Sequence, residues 1–172
     1  MIFDENDRVV AIVHYNTPEL TKAAIGSLIA NGGIEDRLRI VVFDNSDKDP
    51  FGEASGVTVI DNTEGQVINF DEELAKFPER DRSIGCAKGC EFGSMKHIWT
   101  VQKLWDLLPD GFILVESDTL VKRDITELWK EEYSFCGYVQ KNQHGNRFKV
   151  PRILPMLCYM NVPKLTKEGA RY

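Results

Sequence analysis

Apolar residues along this chain gather into short continuous runs that end on polar clusters, the pattern of strands buried on both faces. Val9 to Val13 is the first run and passes into His14-Tyr15-Asn16. Thr17-Pro18-Glu19 then opens a helix. Thr17 suits the N-cap, and Pro18 suits the first helical position, where its missing N–H costs nothing. Leu20, Ala24, Ile25, Leu28 and Ile29 predict one apolar stripe on that helix, and Gly32-Gly33 ends it. Leu38 to Phe43 predicts a second buried strand closing on Asp44-Asn45-Ser46, and Val57 to Ile60 a third closing on Asp61-Asn62.

From Thr63 to Cys90 the periodicity disappears, apart from a weak helical piece near Phe70 to Phe77; long loops of this kind are a frequent place for function. Ser94 then suits the N-cap of a helix carrying Ile98, Val101, Trp105 and Leu108 at helical spacing. Pro109-Asp110-Gly111 forces a turn, and Phe112 to Val115 predicts a fourth buried strand that delivers Glu116-Ser117-Asp118. Asp124 and Glu127 have capping-box spacing for a short helix through Trp129. Tyr133 to Val139 and Ile153 to Met160 predict further strands, the latter an edge strand because of Pro155.

Strand, helix and strand joined by short connections predict an α/β fold with a mostly parallel central sheet flanked by helices. Asp44, Asp61 and Glu116-Ser117-Asp118 should then share the edge at the C-terminal ends of the strands, where ligands sit in open parallel sheets. The 172 residues, 42% hydrophobic, suffice for one domain with its own core over 1–172.

Charge narrows the partners. A formal net charge of -6 argues against nucleic acid, which asks for a basic stripe. No run approaches the about 18 apolar residues of a membrane span, and the N-terminus lacks the basic and apolar parts of a secretory signal, so a cytoplasmic protein is expected. Cys86, Cys90, Cys136 and Cys158 read as reduced thiols in that setting; neither the Cys86–Cys90 spacing nor His97 and His144 favours structural zinc.

The sharpest chemical signal is Glu116-Ser117-Asp118. Two carboxylates one residue apart, directly after a buried strand, can converge on a hard divalent cation. The plainer reading is that such acids merely end strands and cap turns. A diphosphate beside these carboxylates would meet repulsion of about 4 kcal/mol per close pair at an intermediate dielectric. A divalent cation reverses that sign and steadies a leaving diphosphate.

At these residues the chain resembles family 2 glycosyltransferases of the GT-A fold. Val13 to Leu20 looks like their first strand–loop–helix, Val41 to Ser46 like their second strand, and Glu116-Ser117-Asp118 like their D-x-D motif. Gly93-Ser94-Met95-Lys96-His97 is similar to a helix-opening motif of relatives with a histidine there. The resemblance runs from about Arg8 to Trp129, more weakly onward to Pro155; the order and spacing of the motifs carry it.

The resemblance implies a nucleotide-sugar-binding half over about 8–120 and an incomplete acceptor-side part over about 121–172. His14, Tyr15 and Asn16 would line the nucleotide pocket, and Asp44 would accept from the base, most often uracil. Glu116 would contact the ribose or the metal, and Asp118 would ligate Mn²⁺ or Mg²⁺ bridging the diphosphate. Ser94 and His97, at a helix N-terminus, would help hold the donor. The implied partners are a UDP-sugar and a saccharide or lipid-linked acceptor. Glu116 stands where the family usually has Asp, and the Arg-Asn signature of many relatives is replaced by Gly85 to Cys90. No acidic pair follows the acceptor-side strands, so no catalytic base is assigned, and a truncated catalytic domain is expected.

Other readings divide by class. The basic segment His144 to Arg152 reads as a solvated loop more readily than as a diphosphate contact, and Trp99, Trp105 and Trp129 as core or partner surface. A catalytically inert nucleotide-binding or partner-docking module would share the same cleft without a base. A phosphatase with an aspartyl nucleophile at Asp44 fails, because no acid stands two residues on.

Overall fold

The computed structural model describes residues 7–33, 38–65, 91–140 and 152–170. The predicted helical piece at Phe70 to Phe77, Cys86, Cys90 and His144 lie outside them. Among the described residues, six strands form one mixed sheet: β1 (Arg8–His14), β2 (Leu38–Asp44), β3 (Val57–Asp61), β4 (Phe112–Glu116), β5 (Phe135–Gln140) and β6 (Arg152–Met160). Their order is β3-β2-β1-β4-β6-β5. The first four are mutually parallel where they pair, while β6 runs antiparallel to both β4 and β5.

Alternate residues of each buried strand serve opposite cores. Val9, Ala11, Val41, Phe43, Phe112 and Leu114 face Val101, Leu104 and Leu108 on the side of α2 (Glu91–Leu107). Val10, Ile12, Ile40, Val42, Ile113 and Val115 face Ile25 and Leu28 of α1 (Pro18–Asn31). A helix on each face is why the strands read as unbroken apolar runs. The parallel crossover from β2 to β3 contains no helix; its irregular segment is anchored instead by Phe51, 4% exposed in the α1-side core.

Several local expectations are corrected. The buried stripe of α1 is Thr21, Ala24, Ile25 and Leu28, whereas Leu20 and Ile29 are 51% and 59% exposed. Thr17 occupies the N-cap but its side chain makes no capping bond. α2 begins at Glu91, so Ser94 lies inside its first turn rather than capping it. Asp124 and Glu127 form no capping box: Asp124 accepts from the Thr126 N–H at 2.7 Å and its hydroxyl at 2.6 Å, and a single 3-10 turn (Thr126–Leu128) follows. Glu127 faces Arg123 across 4.0 Å of surface instead.

Pro155 does not mark an edge strand, for β6 lies between β4 and β5. Pairing with β4 stops at Val115↔Leu157, and the register with β5 jumps from Gly137↔Cys158 to Val139↔Ile153. Pro155 falls where neither neighbour is in register with it, so its missing N–H breaks no ladder. A short helix α3 (Val162–Lys167), capped by Asn161 accepting from the Lys164 N–H, follows β6. Trp105 of α2 donates to the Thr166 hydroxyl of α3 at 3.3 Å. Trp99 and Trp105 pack against the α2-side core, and Trp129 against Tyr159, so all three serve packing. Among the described residues, no helix is long and apolar enough to cross a membrane.

Candidate functional site

Register brings the polar strand ends to one edge. His14 pairs with Asp44, Asp44 with Asp61, and Val13 with Glu116. The chain leaves β1 for β2 on one side and returns, through α2, to β4 on the other. β1 and β4 therefore flank the topological switch point, the crevice where open α/β sheets bind ligands. A cleft of about 220 Å³ opens there, lined by Val13, Tyr15, Asn45, His97, Glu116, Ser117 and Asp118.

Four of the residues singled out from the sequence line this cleft: Tyr15, His97, Glu116 and Asp118. His14, Asn16 and Asp44 do not, and the strand pleat explains two of these. His14 and Asp44 share the parity of Ile12 and Val42, so they belong to the α1 face. Val13 and Glu116 share the parity of Ala11 and Leu114 and belong to the α2 face, with the cleft. Ser94 contributes its position in the first turn of α2, and its side chain lies outside the described residues.

The α1-face residues build the floor. Asp44, 2% exposed, accepts from the Ser46 N–H at 3.0 Å and the Phe51 N–H at 2.6 Å. Both oxygens are thus engaged by the loop that leaves β2. His14, fully buried, places Nε2 3.2 Å from the Asp49 carbonyl and Nδ1 2.7 Å from the Thr21 hydroxyl. A carbonyl only accepts, so Nε2 carries hydrogen and donates to Asp49. Asn16, at φ 53°, turns its Oδ1 to the N–H groups of Asp47, Lys48 and Asp49 at 3.2, 3.0 and 3.1 Å. These three residues clamp the first loop to the second.

The cleft wall differs in character. Burial, then the charge of Asp118, raises the Glu116 carboxyl above its ordinary range. Burial lowers the pKa of His97, whose buried Nε2 has no hydrogen-bond partner among the described residues. The Tyr15 hydroxyl donates to Asp47 at 3.3 Å; burial and then the Asp47 charge raise its pKa. Cys158, on β6 near Glu116, is pushed up to about 12 by burial and then by Glu116, which makes it an inert thiol at neutral pH.

Sequence reasoning missed Asn45 and Ser117 as wall residues. Asn45 is buried, donates to the Thr100 hydroxyl of α2 and accepts from Asn62 at 2.6 Å, tying three elements together behind the wall. Its signal was available in the pleat: it continues the parity of Val41 and Phe43 one step past β2.

No family model matches the chain, and no curated protein does. Among solved structures, the glycosyltransferase GlyE of Streptococcus pneumoniae TIGR4 is similar, with a TM-score of 0.50 and 15% identity over 97% of this chain and 37% of that one. Its apo form gives a TM-score of 0.47 and 15% identity over 95% and 36%. This chain thus spans well under two thirds of that protein's length. At such identity the likeness concerns architecture, and this chain has a glycosyltransferase-like α/β fold.

Proposed function

We propose that the switch-point cleft binds a nucleotide-diphosphate sugar, most readily a UDP-sugar, and that the chain takes part in glycosyl transfer in the manner of family 2 enzymes. The observation that carries this reading is the meeting of the Glu116–Asp118 carboxylates with Tyr15 and Asn45 around one crevice. Two oxygen ligands with an elevated proton affinity at Glu116 form a site short of positive charge.

The donor set suits Mn²⁺ or Mg²⁺. Both carboxylates are hard oxygen ligands, and among the described residues no group of three or more His, Cys, Asp or Glu side chains could hold a metal alone. Such cations are commonly held by one or two carboxylates with the balance from substrate phosphates. When bound, the cation supplies charge stabilisation to the departing diphosphate. Glu116 and Asp118 would hold it, Tyr15 would present a ring face to the nucleobase, and Asn45 would contribute a rigid polar wall. His14, Asn16 and Asp44 would act beneath them by keeping the β2 loop in shape. In transfer, an acceptor hydroxyl attacks the anomeric carbon and releases its proton to solvent, while the bond to the diphosphate oxygen breaks and that oxygen keeps the electron pair.

Thermal melting tests the donor site. UDP with Mn²⁺ at about a hundredfold excess over its dissociation constant should add about 2.7 kcal/mol, a rise of roughly 5–10 °C for a chain of this size. UDP with chelator should give no rise, and Asp118→Ala should abolish the metal-dependent part. No rise with any nucleoside diphosphate and metal refutes the reading. Mn²⁺-dependent hydrolysis of UDP-sugars then separates a transferase from a module that only binds nucleotide.

A further inference from the structure

The turn that carries Asp118 is pinned from outside the cleft. Its near end belongs to the β4 ladder, where Glu116 pairs with Val13. Within the turn, the Thr119 N–H donates to the Glu116 carbonyl at 3.0 Å. The Thr119 hydroxyl donates to the Met156 carbonyl of β6 at 3.3 Å. Its far end is Val121, 4% exposed in the α1-side core. There the Val121 N–H donates to the Ser27 hydroxyl oxygen at 2.8 Å, and the Val121 carbonyl accepts from the Asn31 amide at 3.0 Å.

Ser27 and Asn31 stand one helical turn apart near the end of α1, so they share a face of that helix. The Ser27 hydroxyl gives its own hydrogen to the Ala24 carbonyl at 2.7 Å, which leaves its lone pairs to receive the Val121 N–H. Both main-chain polar groups of Val121 are therefore gripped by side chains of α1. Asp118 itself is exposed, so the backbone of the turn, rather than packing, sets where its carboxylate stands. A turn pinned at one end only would let that carboxylate drift relative to Glu116. A cation shared by two carboxylates depends on their spacing. Neither Ser27 nor Asn31 lines the cleft, so any effect on it passes through the turn.

We infer that Ser27 and Asn31 are positioning residues for the cation site, holding Asp118 in place relative to Glu116 by clamping the Val121 backbone. This rests on the reading of Glu116 and Asp118 as cation ligands given above.

The test is the affinity of the whole chain for UDP at a fixed excess of Mn²⁺, read by calorimetry beside the melting temperature. Wild type is compared with Ser27→Ala, Ser27→Ala/Asn31→Ala, Ile25→Val and Asp118→Ala. Alanine favours a helix, so α1 tolerates the clamp substitutions. The double variant should bind UDP with Mn²⁺ about tenfold more weakly, the low end for partners that orient a metal ligand, and Ser27→Ala should lose less. Ile25→Val trims the buried face of the same helix without touching the bonds to Val121. It should melt lower than wild type yet bind as tightly. Unchanged affinity in the double variant, or equal weakening in Ile25→Val, makes the clamp merely structural; either result overturns the inference and leaves the cation site standing. A wild type that does not bind UDP with Mn²⁺, or an Asp118→Ala variant that binds as tightly as wild type, overturns the cation reading and the inference with it.

Discussion

The loop after β2 and the turn after β4 leave the same sheet edge, yet their polar groups are in opposite states. In the loop, the Asp44 carboxylate, the His14 ring and the Asn16 amide each bond backbone groups between Ser46 and Phe51. Beside the β4 turn, Glu116 has a raised pKa from burial and a neighbouring carboxylate, and His97 keeps a buried nitrogen without a partner among the described residues. A satisfied polar cluster is a scaffold; an unsatisfied one on a cleft wall is where a ligand has something to contribute. Polar residues at strand ends are thus divided by what already bonds them.

The contrast can be broken most strongly at Asp44. Asp44→Ala leaves the Ser46 and Phe51 N–H groups buried without acceptors and should cost about 3 kcal/mol. Urea unfolding would read this as a lower midpoint at unchanged slope; a loss within 0.5 kcal/mol, about the size of a surface change, would return Asp44 to a ligand-facing role. Asn16→Ala comes next. It removes one acceptor of three N–H groups and puts at φ 53° a residue that tolerates the left-handed region less well than asparagine, for about 1–2 kcal/mol together. Asn16→Gly keeps the backbone freedom, so it should lose less; equal losses would assign the whole effect to the amide.

Glu116→Gln should give the smallest change and the opposite sign. Folding raises the Glu116 pKa above its ordinary 4.5, so its contribution to stability is fully present below the unfolded value and lost as pH rises through the folded one. The ligand-free variant should therefore melt slightly higher than wild type at pH 7, with the gap closing as pH falls towards 4.5. A lower melting temperature at pH 7 would show that Glu116 is a structural acceptor like Asp44. Acid should also weaken cation-dependent UDP binding at a higher pH than for an ordinary carboxylate pair, because protons compete for Glu116.

Much of the framework was legible because burial on both faces writes itself as apolar runs. β1 to β4 were read within a residue or two, and the shared edge of Asp44, Asp61 and Glu116 followed from strand order of the ordinary kind. Capping was less legible. Thr17, Ser94 and the Asp124–Glu127 pair all have suitable side chains, but the first makes no capping bond, the second sits inside its helix and the third yields to a local Asp124–Thr126 turn. Short polar side chains choose among near-equal local partners, and the choice depends on where the chain goes next.

By itself, the sequence determined the alternation of buried strands with helices, the polar closure of each strand and the acidic triplet at the end of β4, because these follow from local hydrophobicity and turn chemistry. Only the tertiary structure decided which strand-end residues face a ligand. That choice depends on which helix covers which face and on β1 and β4, far apart in the chain, meeting as neighbours in the sheet. The pleat then sends His14 and Asp44 under the β2 loop and Val13 and Glu116 into the cleft.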